Sequence, residues 1–227
     1  MAAEPLAYGG TGYEIVEEEP PELLGRNLVS ASYLLAGATA FFFVAFVFAY
    51  FYLRTLNAAD MWAPTGIDAS IAWGTVVVVC YVASAVLVRL GLTDHRALRR
   101  DQWRLKGLAA LLLGVVGLVL QVIGWTQQGF GPADGGFASV YFGWTAFLFL
   151  FVFATLIWLE MTVAMSFRYR GVEAGVPPGH ASGDPHRAAH DIRDPLSLVR
   201  AELVGLSFYW TFLAGIAVLT WIILYLI

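Results

Sequence analysis

The chain has 227 residues, 59% of them hydrophobic and only 13% charged, where a soluble domain carries roughly 45–50% apolar and ~25% charged residues. That composition excludes an ordinary soluble protein. The formal net charge of −4 says little, because the charges are sorted by location, and the lone Cys80 excludes an internal disulfide and a cysteine-based metal centre.

Residues 1–26 form an acidic polar tail with Glu14, Glu17, Glu18, Glu19 and Glu22 beside Pro20 and Pro21. Such a segment cannot bury itself and is expected to be extended. Met1-Ala-Ala-Glu4 offers no basic region ahead of an apolar one, so no cleaved signal peptide is expected. A first apolar span is predicted over about 28–53, with an aromatic centre from Phe41 to Tyr52 and Arg54 as its stop. A second, rich in valine, is predicted over 71–90, with Arg89 reaching to the headgroups from its end. The segment 91–106 follows, and its basic residues, His95 among them, read as a loop that sets topology.

The third and fourth spans, over 107–127 and 137–166, make a helical hairpin. Gly131-Pro132-Ala133-Asp134-Gly135-Gly136 supplies the turn, with Asp134 available to cap the next helix. On the third span Gly114, Gly117, Gln121 and Gly124 recur at spacings of three, four and three, so they share one stripe. Small residues there admit a neighbouring backbone, and Gln121 seeks a polar partner inside the bundle. Trp125, Gln127 and Gln128 mark the exit from the membrane. A polar, proline-broken loop then leads to the fifth span, 203–227. The reading is an all-α membrane protein with five transmembrane helices over 27–227 and no soluble domain.

Candidate chemistry is sparse. All four histidines (His95, His180, His186 and His190) fall in predicted loops, so a bis-histidine haem or a copper–histidine centre is not expected in this chain. His186 and His190, four apart beside Asp184 and Asp191, are a weak metal candidate. Among ionisable residues only Glu160 approaches the membrane interior, as an interfacial carboxylate. No catalytic residue stands out.

The run GLVLQVIGW at 117–125, with FASVYF at 137–142 and IWL at 157–159, resembles subunit III of the haem–copper terminal oxidases. FFFVAFVFAYFYLR at 41–54 is similar to that family's first core helix, and YWTF at 209–212 to the start of its last. The resemblance implies a non-catalytic subunit in a prokaryotic plasma membrane that packs on catalytic subunit I. That partner would carry haem and copper, and this chain would bind phospholipid and support proton uptake in the partner. Arg54, Arg89, Trp125, Arg168 and Arg170 are the candidate lipid-binding residues, with lipid expected between the first two spans and the last three. The chain departs from the family pattern at Thr39, Gly124, Leu148, Phe151, Thr211 and Ala214, where that family carries buried polar or charged groups. It therefore resembles a divergent branch. Two other readings are an accessory subunit of a nitric oxide reductase and a membrane transporter or lipid-handling protein. The second would call for repeats and broken helices that the sequence lacks.

Of 13 basic residues, only Arg54 falls on the side of the first and third inter-helix loops. The positive-inside rule then places the N-terminus in the cytoplasm and the C-terminus outside. A reporter fused after Ile227 is expected to be external and one inserted at Gly183 cytoplasmic. Protease or alkylation access read in whole cells checks both, and the reverse pattern overturns the orientation.

Overall fold

The computed structural model describes residues 21–57, 61–64, 67–168 and 195–227, which form five α-helices, with no strand among the described residues. These are α1 (Pro21–Thr55), α2 (Ile71–Arg96), α3 (Arg100–Thr126), α4 (Gly136–Arg168) and α5 (Pro195–Tyr225). All five are long and apolar enough to cross a membrane. At a rise of about 1.5 Å per residue they measure roughly 40–50 Å, more than the ~30 Å of a hydrocarbon core.

Every helix outruns the span read from its apolar run. α1 already begins at Pro21, inside the stretch read as a tail, and α5 begins at Pro195, where a proline's missing N–H costs a first turn nothing. The largest difference is at 91–106. Most of that basic loop is helix, and the connection shrinks to residues 97–99. Polarity alone does not end a helix; a backbone break does, and here Leu98 supplies it with φ 60. The Arg99 N–H then reaches back to the Asp94 carbonyl (2.9 Å) and closes α2 in the manner usually left to glycine. His95, read as a loop residue, consequently lies buried in the last turn of α2.

This end of the bundle is held by charge. The Asp94 carboxylate is 3% exposed and meets Arg99 (3.0 Å) across the turn and Lys106 from α3. Arg104, also buried, donates from Nε and Nη2 to the Ser166 carbonyl (3.2 and 2.7 Å), and from Nε to the Ser166 hydroxyl (3.1 Å). Its Nη1 donates to Asp101 (3.0 Å), and the guanidinium lies 5.7 Å from the Phe167 ring. A planar fork thus ties α3 to the last turns of α4, where helix carbonyls lack partners of their own. Glu160 is therefore not alone among ionisable groups inside the protein; Asp94 and Arg104 are buried deeper, while Glu160 is exposed.

The helices form a ring in which α1 packs on α4, α4 on α3, α3 on α2, α2 on α5, and α5 on α1. α5 also crosses the ring to α4, and its span is the most covered, half of its central window being buried against 22% for α1. The expected division between the first two helices and the last three is not what the chain forms. α2 has its most extensive interface with α3, whereas α1 and α2 do not pack on each other.

The other end is closed by the 61–64 segment. Asp134 does not cap α4; its carboxylate accepts from the Gly131 N–H (2.6 Å) within the turn. The free N–H groups of Gly136 and Phe137 instead donate to the carbonyls of Met61 (3.0 Å) and Trp62 (2.8 Å). Gly135, at φ 145, permits this approach, since a Cβ there would meet Pro64 Cδ at 2.9 Å and the Met61 carbonyl at 3.1 Å.

Replacing Arg104 by lysine keeps the charge and loses the fork. The expected cost is about 1–3 kcal/mol, since lysine cannot serve Ser166 and Asp101 together. Thermal unfolding in detergent would read this as a lowered midpoint. A midpoint equal to that of the unmodified protein would show that charge alone is enough here.

Candidate functional site

The stripe read from the sequence is at the centre of the packing. Gly114, Gly117, Gln121 and Gly124 are all buried. The neighbours are within this chain, and there are two of them. A Cβ on Gly114 would run into the Leu156 side chain of α4. One on Gly117 would meet the Tyr81 ring at 2.6 Å and Cys80 Cβ at 3.2 Å, both on α2. Gly124 is looser, with Trp73 Cβ at 3.7 Å. The stripe is therefore the seat of α3 between α2 and α4. Sequence reading missed a second such place. Trp103, 1% exposed, is wedged so that a Cβ on Gly91 would lie 2.6 Å from its ring and one on Gly107 3.2 Å.

Polar side chains link the helices at three levels. In the middle, adjacent residues of α5 reach in opposite directions. The Tyr209 hydroxyl hydrogen-bonds Thr39 of α1 (3.0 Å), and Trp210 Nε1 donates to the Ser84 hydroxyl of α2 (3.0 Å). Ser84 in turn donates to the Ala110 carbonyl of α3 (2.6 Å). Towards the 61–64 end, Trp125 Nε1 donates to Thr145 of α4 (2.9 Å), so this tryptophan serves a helix contact. Beyond it, Gln128 joins the Ser70 N–H (3.4 Å) to the Tyr141 hydroxyl (3.1 Å), which meets Tyr225 (3.0 Å). Four elements share that chain of bonds. The charged groups around Asp94 and Arg104 form the third level.

Positions where the resembling family carries polar groups are filled by packing. Thr39 is buried under Tyr209, Leu148 is 4% exposed, and the Phe151 ring lies 5.7 Å from both Phe42 and Phe43. Among the described residues, no three His, Cys, Asp or Glu side chains gather as a metal site, and His186 and His190 lie outside them.

The candidate lipid residues are not brought together. Arg89 and Arg168 are exposed near the Asp94 end, on α2 and α4, with α3 between those helices. Arg170 lies outside the described residues. Arg54 is at the opposite end, where its Nη1 donates to the Ile227 carbonyl (2.9 Å) and the Tyr50 hydroxyl (3.4 Å). Glu160 borders an open, apolar groove of about 430 Å³ between α3 and α4, walled by Val115, Val119, Phe149, Phe153 and Ile157. The bundle thus has a largely apolar outer surface and pairs many of its buried polar groups with each other, though the Tyr81 hydroxyl and the Trp103 and Trp144 Nε1 find no partner among the described residues.

The geometry grades the glycine substitutions. Gly124→Ala should be close to neutral. Gly114→Ala should cost less than Gly117→Ala, because a leucine methyl can swing away and the Tyr81 ring cannot. Leucine at Gly117 should cost about 1–3 kcal/mol as overpacking. Unfolding midpoints of the four variants measure this order; equal midpoints would mean that the stripe does not carry the packing. Compared with known proteins, the sequence matches no family model and no curated protein.

Proposed function

We infer that this chain is a non-catalytic subunit of a haem–copper terminal oxidase, of the subunit III type, in a prokaryotic plasma membrane. One observation supports the reading: each resembling stretch contributes residues to the contacts that hold the helices together, beside others, such as Phe41, Phe48, Val119 and Val122, that face outward. Phe43 and Tyr50 of α1, Gly117, Gln121 and Gly124 of α3, and Tyr209 and Trp210 of α5 are all buried.

In this reading the catalytic subunit carries haem and copper, and this chain supports it from the side. α1 supports that role, because it is the least covered helix and presents Leu34, Phe41, Val44 and Phe48 outward. A catalytic subunit packed on α1 would cover that flank. Phospholipid binds at the headgroup-level arginines Arg54, Arg89 and Arg168 and helps to keep the partner's proton uptake working over many turnovers.

Affinity purification of the tagged chain in a mild detergent tests the assignment. Haem absorption and copper at a fixed ratio to the chain are the expected result. Haem with non-haem iron and no copper would move the chain to a nitric oxide reductase. An intact chain that purifies with neither, at full yield, ends the oxidase reading.

A further inference from the structure

The hairpin of α3 and α4 is open along its outer side. An apolar groove of about 430 Å³ runs between the two helices, from Ile123 and Phe149 at one end to Leu111 and Glu160 at the other. The antiparallel register is set beneath it, where Gly114 lies against Leu156 and Gly107 against Val163. Of the eleven residues that line the groove, ten are apolar and one is ionisable. Val115, Val119, Val122, Phe153 and Ile157 are exposed on its walls, so no described residue covers them.

By itself such a groove says nothing of its occupant, because lipid tails fill apolar space in a bilayer as well as leucine does. Glu160 decides. It is exposed and has no ion-pair or hydrogen-bond partner among the described residues. It stands six residues inside Ser166, about 9 Å along α4, on the apolar side of the Arg104 fork. The buried basic groups of that end are engaged elsewhere, Arg104 with Ser166 and Asp101, and Lys106 with Asp94. A charged side chain set among apolar ones on a membrane helix is costly until it meets a partner or reaches water.

The carboxylate separates the occupants such a groove can take. A phospholipid with its chains in the groove would bring its phosphate to the end where Glu160 stands, like charge to like. A second copy related by a two-fold axis along the bilayer normal presents the same patch, and sets Glu160 against Glu160 at one depth. A membrane helix of another protein can supply what both lack: apolar side chains for the groove and a cation level with Glu160.

We propose that the α3–α4 groove is a docking site for a transmembrane helix of a different protein, one that carries a lysine or arginine at the depth of Glu160 and apolar side chains along the turns that follow. The site is separate from the α1 flank assigned above to a catalytic subunit, and it stands whether or not that assignment does.

The test is photo-cross-linking in intact cells. The full chain carries benzoylphenylalanine in place of Val119 in the groove, and the products are digested and sequenced by mass spectrometry. Leu112, exposed on α3 but outside the groove, is the control position. Capture of a protein does not by itself support the proposal. The expected product from Val119 joins a transmembrane segment with a basic residue level with Glu160. Glu160→Gln should lower its yield about threefold or more, and Glu160→Lys should remove it. Exchanging the partner's basic residue for glutamate should restore the product to the Glu160→Lys chain. Product from Leu112 should follow none of these changes. Glu160 holds no described residue, and equal amounts of each variant in the membrane, read by blotting, keep loss of folding apart from loss of docking. Four results overturn the proposal: lipid adducts alone, a product joined to a second copy of this chain, a captured segment without a basic residue, or a yield that Glu160→Lys leaves unchanged. The last would show that Glu160 is hydrated at the surface and serves no partner.

Discussion

Tyr209 and Trp210 are neighbours in sequence and point to different helices. In a bilayer the apolar faces of two helices gain little by meeting, because lipid tails are as apolar as leucine. Close backbone approach and interhelical hydrogen bonds must supply the preference. The Tyr209–Thr39 bond fixes α5 against α1, and the Trp210–Ser84–Ala110 relay fixes it against α2 and, through α2, against α3. Two adjacent side chains about 100° apart on a helix thereby define where α5 sits. The glycine seat of α3 and the Arg104–Ser166 fork complete the ring from the other side.

The two ends of the bundle solve different problems. At the Asp94 end a three-residue connection brings acidic and basic groups of α2 and α3 together, so charge can be buried because it is matched. At the other end the connections are longer, and neutral groups do the joining: backbone carbonyls of 61–62 for α4, and Gln128, Tyr141 and Tyr225 for the mouth. Arg54 is the charged exception there, its Nη1 joining the end of α1 to the Ile227 carbonyl.

The five helices and the glycine stripe were legible in the sequence because both are written in local patterns: long apolar runs, and small residues at spacings of three and four. Helix ends were not. Apolar runs report the hydrocarbon, whereas α2 continues through Asp94 and His95 into the headgroup layer and stops only at Leu98, which carries none of the usual marks of a left-handed residue. The Asp94–Lys106 and Arg104–Ser166 pairs were hidden for the same reason, since residues assigned to a loop have no helix face to be matched upon. A signal was present, because Asp94 and Lys106 flank a short turn with opposite charges. The polar cross-links from Thr39, Ser84 and Thr145 join helices distant in sequence, and no local pattern announces such partners. The candidate lipid-binding arginines were recognisable singly, as was the place of Arg54 at the opposite end, but that Arg89 and Arg168 stand on non-adjacent helices follows from the ring order alone.

That ring order has a consequence for how the protein is made. α2, α3 and α4 are consecutive and pack on each other in sequence, so they can associate as each leaves the ribosome. α1 meets only α4 and α5, and α2 gains its second neighbour only when α5 appears. Of the five helices, α1 therefore meets no partner until α4 appears, and Thr39 none until Tyr209 of α5 does. Closure of the ring among these five helices falls to α5, which alone joins α1 to α2.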